Sequence, residues 1–502
     1  MAAVLIFVVV LILIRLWLYH RWNHKQIFEL AKKVPSHKLQ MILGFGKILT
    51  PKTITQNLIE NCQTFGHNFI NFIGPYPQFI TGDPETVEDI LKSRLALNKG
   101  ELTYHGLHHG LGNGLLKMPA NQWKHHRKLM DVGFKFSKLV EFMPVFNKKM
   151  KGLFAEVDRC NTMEDSYDIL VYCREFTISL TTETMLGRDL DNNKEIDSKH
   201  YAELIGSILE YISEISFNVL YQSKEVLKLA DLTVFKKERK TLDFLKKEID
   251  ATYRYYSNEL PHDPQYLENF DSNVAKYVNE AINKNVLDKD LAVTSMMNLF
   301  AAGFETTSAT IYFTILMLAM YPEYQAKVYE EICDMFPDKN DDGEFEMTYE
   351  HITQLTYFDM FVKETLRLFP TVPLFSRCIV DGNGLKLSNG VVIPPNLELV
   401  LNIYNLHRNK DVWGPDADKF NPDNFLPSNA EKRHPYAYIP FAKGIRFCIG
   451  NRYAEMSVRV AMAKLIKRYK FSTTAKLEDL VIENHISLQL ASHPPLTIER
   501  RR

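Results

Sequence analysis

The chain reads as mostly α (α+β), one large helical domain with small sheets near its two ends. Three observations carry that reading. Strand-like runs occupy residues 69–73 and 78–81, and sheet-like runs return at 390–403. Long stretches rich in helix formers fill much of the space between and after them, at 288–320, 357–368 and 450–469. No Gly/Ser linker, repeat or low-complexity run divides the body of the 502 residues, which suffice for a large core. A little sheet, many helices, then sheet again is an α+β order dominated by helix.

The first element is apolar. Ala2 to Ile14 is uninterrupted, and after Arg15 the run resumes as Leu16-Trp17-Leu18-Tyr19. With Arg15 snorkelling, a helix here reaches ~27–30 Å, enough for a thin bilayer. Residues 1–22 are therefore expected as a transmembrane anchor, 23–50 as a linker and 51–502 as the main domain. Arg21, Lys25, Lys32 and Lys33 follow the apolar run, so the positive-inside rule places the body in the cytosol. A cleaved signal peptide is the alternative; its basic start and small-residue cleavage site are not seen. Pro35 ends the linker's helical tendency.

In the body, Gly74-Pro75 and Pro77 lie between the first two strand-like runs and predict a hairpin. Asp83-Pro84-Glu85 opens a helix with an N-cap acid and proline at N1. The proline-free stretch 288–320 spans on the order of 50 Å, enough to cross a domain, and Pro322 ends it. Pro370 stops the helix Tyr357 to Leu368. Gly390 to Pro395, followed by Leu397 to Ile403, returns the chain to sheet. A net charge of −1 argues against a nucleic-acid partner. The six cysteines are scattered without a C-x-x-C pair, which is neither a disulfide framework nor a zinc site and fits a reducing compartment.

The most specific signal is the run Phe441-Ala442-Lys443-Gly444-Ile445-Arg446-Phe447-Cys448-Ile449-Gly450. Five fixed positions of this kind arise by chance in roughly one chain in several thousand. A thiolate is a soft ligand suited to iron, and haem iron held by one cysteine favours O–O cleavage. Arg446 brings positive charge, and a helix beginning near Gly450 would place its N-terminus beside Cys448. Gly444 supplies a turn, Gly450 allows close approach to a flat ligand, and Phe441 can shield the sulfur. The plain alternative is a buried free cysteine between two turn glycines.

This run resembles the haem-binding signature of the cytochrome P450 monooxygenases, and the resemblance extends from about residue 50 to the C-terminus. It is strongest to the fatty-acid ω-hydroxylase and insect microsomal clan. The resemblance implies the cytochrome P450 fold and a haem b cofactor, iron protoporphyrin IX, with Cys448 as the metal ligand. Trp123 and Arg127, four apart on one helical face, are implied as donors to the haem propionates, with Arg377 and Arg446 in the same clamp. Taken alone, Trp123 and Arg127 also suit an ordinary amphipathic helix. Glu364 and Arg367 match the family's Glu-x-x-Arg, a buried pair behind the cysteine loop. A third partner, an arginine, is often supplied by a Pro-x-Arg-Phe segment; here Asn424 stands in its place, which leaves Asn424 or Arg408 to complete the network.

Ala302-Gly303-Phe304-Glu305-Thr306-Thr307 resembles the family's oxygen-activation motif. In that likeness Gly303 leaves room for dioxygen, Thr306 loosens the helix and holds a water, and Glu305 feeds protons to it; Thr306 and Glu305 are the expected catalytic pair. The ω-hydroxylase group often carries glutamate where this chain has Ala302, and that glutamate can esterify haem, so non-covalent haem is expected. Family analogy assigns the pocket walls to 105–116, 205–220, 297–301 and 372–375, mostly apolar segments that imply a hydrophobic small-molecule substrate.

Lys124, His126, Lys128, Lys135, Lys443 and Arg446 suggest a basic face for an acidic electron donor. The resemblance implies NADPH-cytochrome P450 reductase, with cytochrome b5 as a further candidate. It also implies an endoplasmic reticulum membrane location, with the catalytic domain on the cytosolic face. The competing readings are a haem-thiolate isomerase or peroxygenase, and a non-catalytic haem-binding sensor.

Overall fold

The computed structural model describes residues 14–15, 17–43, 46–47, 49–160, 168–190, 198–259, 272–337, 343–380 and 382–501. Residues 1–13 and Leu16, the greater part of the expected anchor, lie outside the described residues.

Strands β1 (Asn68–Ile73) and β2 (Tyr76–Thr81) form an antiparallel hairpin with Ile73 opposite Tyr76, turning on Gly74 at φ 54°. Pro77 sits inside β2 opposite Phe72, not between the strands. The next strand pairs with β2 only from Gln78 onward, so nothing there needs the N–H that proline lacks. Strands β3 (Leu374–Cys378) and β4 (Glu398–Asn402) complete a sheet in the order β1-β2-β4-β3, with β2 and β4 parallel. The expected sheet at 390–403 divides: Val392–Ile393 pairs separately with Leu385–Lys386, and Ile403 already begins a helical turn.

Six helices frame the site: α1 (Ala120–Met130), α2 (Ile169–Thr181), α3 (Ser198–Phe217), α4 (Lys289–Met320), α5 (Thr356–Leu368) and α6 (Asn451–Arg468). Their ends follow local chemistry. Asp288 caps α4 by accepting the Leu291 N–H at 2.9 Å, and Asp83 caps the helix Pro84–Lys92 through the Thr86 N–H at 2.9 Å. α4 stops at Met320, and Pro322 takes the first position of the following helix. α4 packs against α2, α5 and α6. It is long and apolar enough to cross a bilayer, but 83% of its apolar window is buried, as befits a helix apolar on all sides at the centre of a core.

The segment expected as a linker is folded where it is described. Ile27, Phe28, Leu30 and Val34 are buried with the sheet, Phe28 stacks on Phe72 at 6.0 Å, and Ser36 bridges Ile70.

Candidate functional site

The loop before α6 is shaped by its backbone. The Cys448 N–H donates to the Phe441 carbonyl at 3.0 Å, and the Phe447 N–H to the Gly444 carbonyl at 3.2 Å. Gly444 lies at φ 78°, and a Cβ there would stand 2.4 Å from the Leu91 oxygen, so both conformation and space demand glycine. Gly450 caps α6, and a Cβ on it would come within 4.0 Å of the Cys448 sulfur. Cys448 is exposed because it borders the central cavity, yet the protein around it desolvates the thiol and raises its pKa. The Gly450 N–H, Arg127 and Lys99 pull the other way without prevailing. A metal cation reverses such a balance, because a coordinating thiol is deprotonated outright.

The cavity contains Cys448, Phe441, Gly450, Trp123, Arg127, Arg377 and Arg446, together with Lys99, which no sequence pattern singled out. Its four cations face no carboxylate among the described lining residues, and no histidine. Arg127 has a local partner, Asp131 at 2.6 Å, and donates to the Phe447 carbonyl at 2.9 Å. Arg446 lies over the Trp123 ring at 4.6 Å and donates one Nη to the Met118 carbonyl, but its Nε and other Nη are buried without acceptors among the described residues. Burial, then Arg377, pulls the Arg446 pKa down to about 9. Burial and the same arginines hold Lys99 well below the usual lysine range. Buried donors without acceptors are costly, and an uncompensated buried charge more so. Two carboxylates on a flat ligand would satisfy them, so the residues present fit a porphyrin dipropionate.

On the opposite wall, α4 presents Leu299, Ala302, Gly303 and Thr306. The Thr306 hydroxyl donates to the Ala302 carbonyl at 2.7 Å, and α4 continues unbroken, so the back-bond does not open the helix as expected. A Cβ at Gly303 would rest on Thr181 at an ordinary 3.6 Å, so packing alone does not require glycine there. Glu305 is turned away from the cavity and is not among its lining residues. Its Oε1 accepts from Arg174 on α2 at 3.0 Å, Ser487 at 2.9 Å and Gln489 at 3.1 Å, while its buried Oε2 has no partner among the described residues. A direct hand-off from Glu305 to a cavity water is therefore not built into this arrangement.

Behind the cysteine loop, Glu364 and Arg367 are fully buried. Arg367 grips both carboxylate oxygens at 2.7 Å and donates to the carbonyls of His407, Ala417 and Lys419. Asn424, at 3.1 Å from Glu364 Oε1, is the further side-chain donor; Arg408 instead donates to the Leu368 and Tyr404 carbonyls. The Ile439 N–H donates to His407 Nε2 at 3.0 Å, joining this lock to the loop that carries Phe441. Burial first, then Arg367, brings His407 down to about 3, so it stays neutral and can accept.

Two further expectations are corrected. His126 is not on the surface: it is buried against Ser295 at 2.6 Å, and burial pushes it down to about 4. Residues 205–220 do not line the cavity; Tyr104, Leu115, Leu116, Asn298, Thr371, Val372 and Phe375 do.

A cavity within a helical core, lined by one cysteine among its described residues and by cations suited to a dianionic flat ligand, points to the class of haem-iron oxidoreductases. The comparisons agree. The family described as Cytochrome P450 matches residues 35–498. A Drosophila melanogaster protein, probable cytochrome P450 313a4, is 34% identical over 497 residues, covering 98% of each chain. Cytochrome P450 4c3 of the same organism is 29% identical, covering 83% of this chain and 78% of its own. A crystal structure of a cytochrome P450 superposes with a TM-score of 0.74 at 19% identity, covering 91% of this chain and 96% of that one, and so speaks for the fold. This chain belongs to the cytochrome P450 family and is an oxidoreductase of the monooxygenase type.

Proposed function

We propose that the chain is a membrane-anchored monooxygenase that hydroxylates a hydrophobic small molecule: a fatty acid, hormone or xenobiotic. Electrons come from NADPH through NADPH-cytochrome P450 reductase, with cytochrome b5 as a second donor. The cofactor in this reading is non-covalent haem b, which supplies the oxygen-activating chemistry when bound. One observation carries the proposal: a single cysteine faces a cavity that holds four cations, no carboxylate and no histidine among its described lining residues.

The chain's own residues divide the remaining work. Cys448, held in place by Gly444 and Gly450, would supply the thiolate that holds the haem iron. Trp123, Arg127, Arg377, Arg446 and Lys99 would hold the propionates. Thr306 offers a hydroxyl at the cavity, anchored on the Ala302 carbonyl. Glu305 contributes protons only after leaving Arg174. Leu115, Leu116, Leu299, Val372 and Phe375 make an apolar wall, while the Asn298 amide is occupied by the Leu111 and Thr294 carbonyls and the Leu116 N–H. Such a wall suits an apolar substrate and excludes water from it. The test is turnover with NADPH and added reductase. Product formed only with peroxide would mark the peroxygenase reading, and haem binding without turnover under either condition the sensor.

Non-covalent attachment follows from Ala302, which lines the cavity without a carboxylate. Acid–acetone should extract all the haem, read by a pyridine haemochrome assay; colour retained on the polypeptide refutes this. The donor face comprises the exposed Lys124, Lys128, Lys135 and Lys443. Reversing Lys128 and Lys443 to glutamate should slow low-salt reduction by about 10-fold or more; an unchanged salt-dependent rate rejects the face. The anchor reading is supported by the exposed Leu18, Tyr19 and Trp22 at the end of the apolar run. The short helix Lys224–Leu232, which leaves Leu229 and Leu232 exposed, adds a second apolar surface. Carbonate-resistant sedimentation with microsomes, lost on deleting residues 1–22, checks the anchor.

A further inference from the structure

The helix His105–Leu111 is seated on α3 through two glycines one turn apart. A Cβ at Gly106 would stand 2.2 Å from the Ile212 carbonyl oxygen and 2.4 Å from Ser216 Oγ. At Gly110 it would stand 2.5 Å from Ile212 Cγ1. Real side chains do not tolerate such approaches, so only glycine lets the two helices meet this closely.

The other side of this helix is equally committed. Tyr104, just before it, and Leu115 and Leu116, just after it, line the cavity, whereas Ile212 does not. The chain beyond the helix is tied to α4: Asn298 Nδ2 donates to the Leu111 carbonyl at 3.0 Å, the Leu116 N–H to Asn298 Oδ1 at 3.1 Å, and the Leu115 N–H to Ser295 Oγ at 3.2 Å. The outer rim is held by His109, 2.8 Å from Asp231, which also accepts from the Tyr211 hydroxyl at 2.8 Å. The helix is thus a strut between α3 and the cavity wall. A side chain that pushed it off α3 would be expected to press it toward α4 and the cavity, because α3 and α4 hold it from opposite sides.

We infer that Gly106 and Gly110 are positioning residues that set the depth of the substrate cavity, and that α3 acts on substrate size through them. The inference rests on reading the central cavity as the substrate site. The probes are imidazole, 4-phenylimidazole and a triarylmethyl imidazole, titrated into haem-loaded full-length protein and followed by the Soret shift. Gly110→Ala should weaken the triarylmethyl probe about tenfold while leaving imidazole within about twofold, the scale of an overpacked contact. Adding Ile212→Ala to Gly110→Ala should restore affinity, because the obstructing atom is Ile212 Cγ1. Gly106→Ala should be more severe and not be rescued by Ile212→Ala, because its clash is with backbone oxygen.

Equal weakening of all three probes, or a missing rescue, would overturn the inference and mark the glycines as merely structural. If the glycine variants take up no haem, Ile212→Ala alone decides: the triarylmethyl probe should bind at least about threefold tighter with imidazole unchanged, and no change overturns the inference. Failure of imidazole to bind the unmodified protein would instead strike the reading of the cavity.

Discussion

Cys448→Ser should give a folded protein that holds haem weakly and loses reductase-driven turnover by more than ~100-fold, beyond the loss typical of removing an outer-shell partner. The loop should survive, because its shape rests on the Cys448 N–H to Phe441, the left-handed Gly444 and the α6 cap, none of which uses sulfur. The loss should be complete in character because the cavity offers no histidine or second cysteine among its described lining residues. The carbon-monoxide difference spectrum of the reduced protein is the readout. A thiolate-type Soret band persisting in the variant would remove the central claim.

Arg367→Ala should be the most destabilising single change outside the cavity. The guanidinium makes five hydrogen bonds in a site with no solvent exposure. Removing it takes away the charge partner of Glu364, leaving the carboxylate to the Asn421 N–H and Asn424, and deprives three carbonyls of a donor. Breaking one side of a buried ion pair typically costs ~3–5 kcal/mol, a large part of an ordinary domain's stability. The chain should accumulate as haem-free, aggregation-prone material, and urea unfolding of any soluble fraction should show the loss. Arg367→Lys keeps the charge but not the planar fork, so it should fall between. An Arg367→Ala protein with normal haem content and an unchanged midpoint would show that the lock is dispensable.

Much of this was legible in the sequence where the cause was local. Asp288, Asp83 and Pro84 announce helix starts because capping needs only neighbours. The cysteine run is legible because its glycines answer constraints within ten residues or, at Gly444, one contact with Leu91. What escaped depends on distant chain. Glu305 has the right spacing for proton delivery, but Arg174, Ser487 and Gln489, remote in sequence, turn it aside. Lys99 carries no pattern around it and gains meaning only beside Arg377 and Arg446. His126 looked like a surface base within a polar stretch until Ser295 of α4 claimed its imidazole. The choice between Asn424 and Arg408 needed their distances from Glu364.

The crowd of unanswered positive charge around the cavity has a cellular consequence. Arg377, Arg446 and Lys99 share a cavity with no carboxylate among its described lining residues, and binding of a dianionic porphyrin should stabilise the folded chain by mass action. Abundance should then track tetrapyrrole synthesis: supplementing cells with a biosynthetic precursor is expected to raise the steady-state level of the chain.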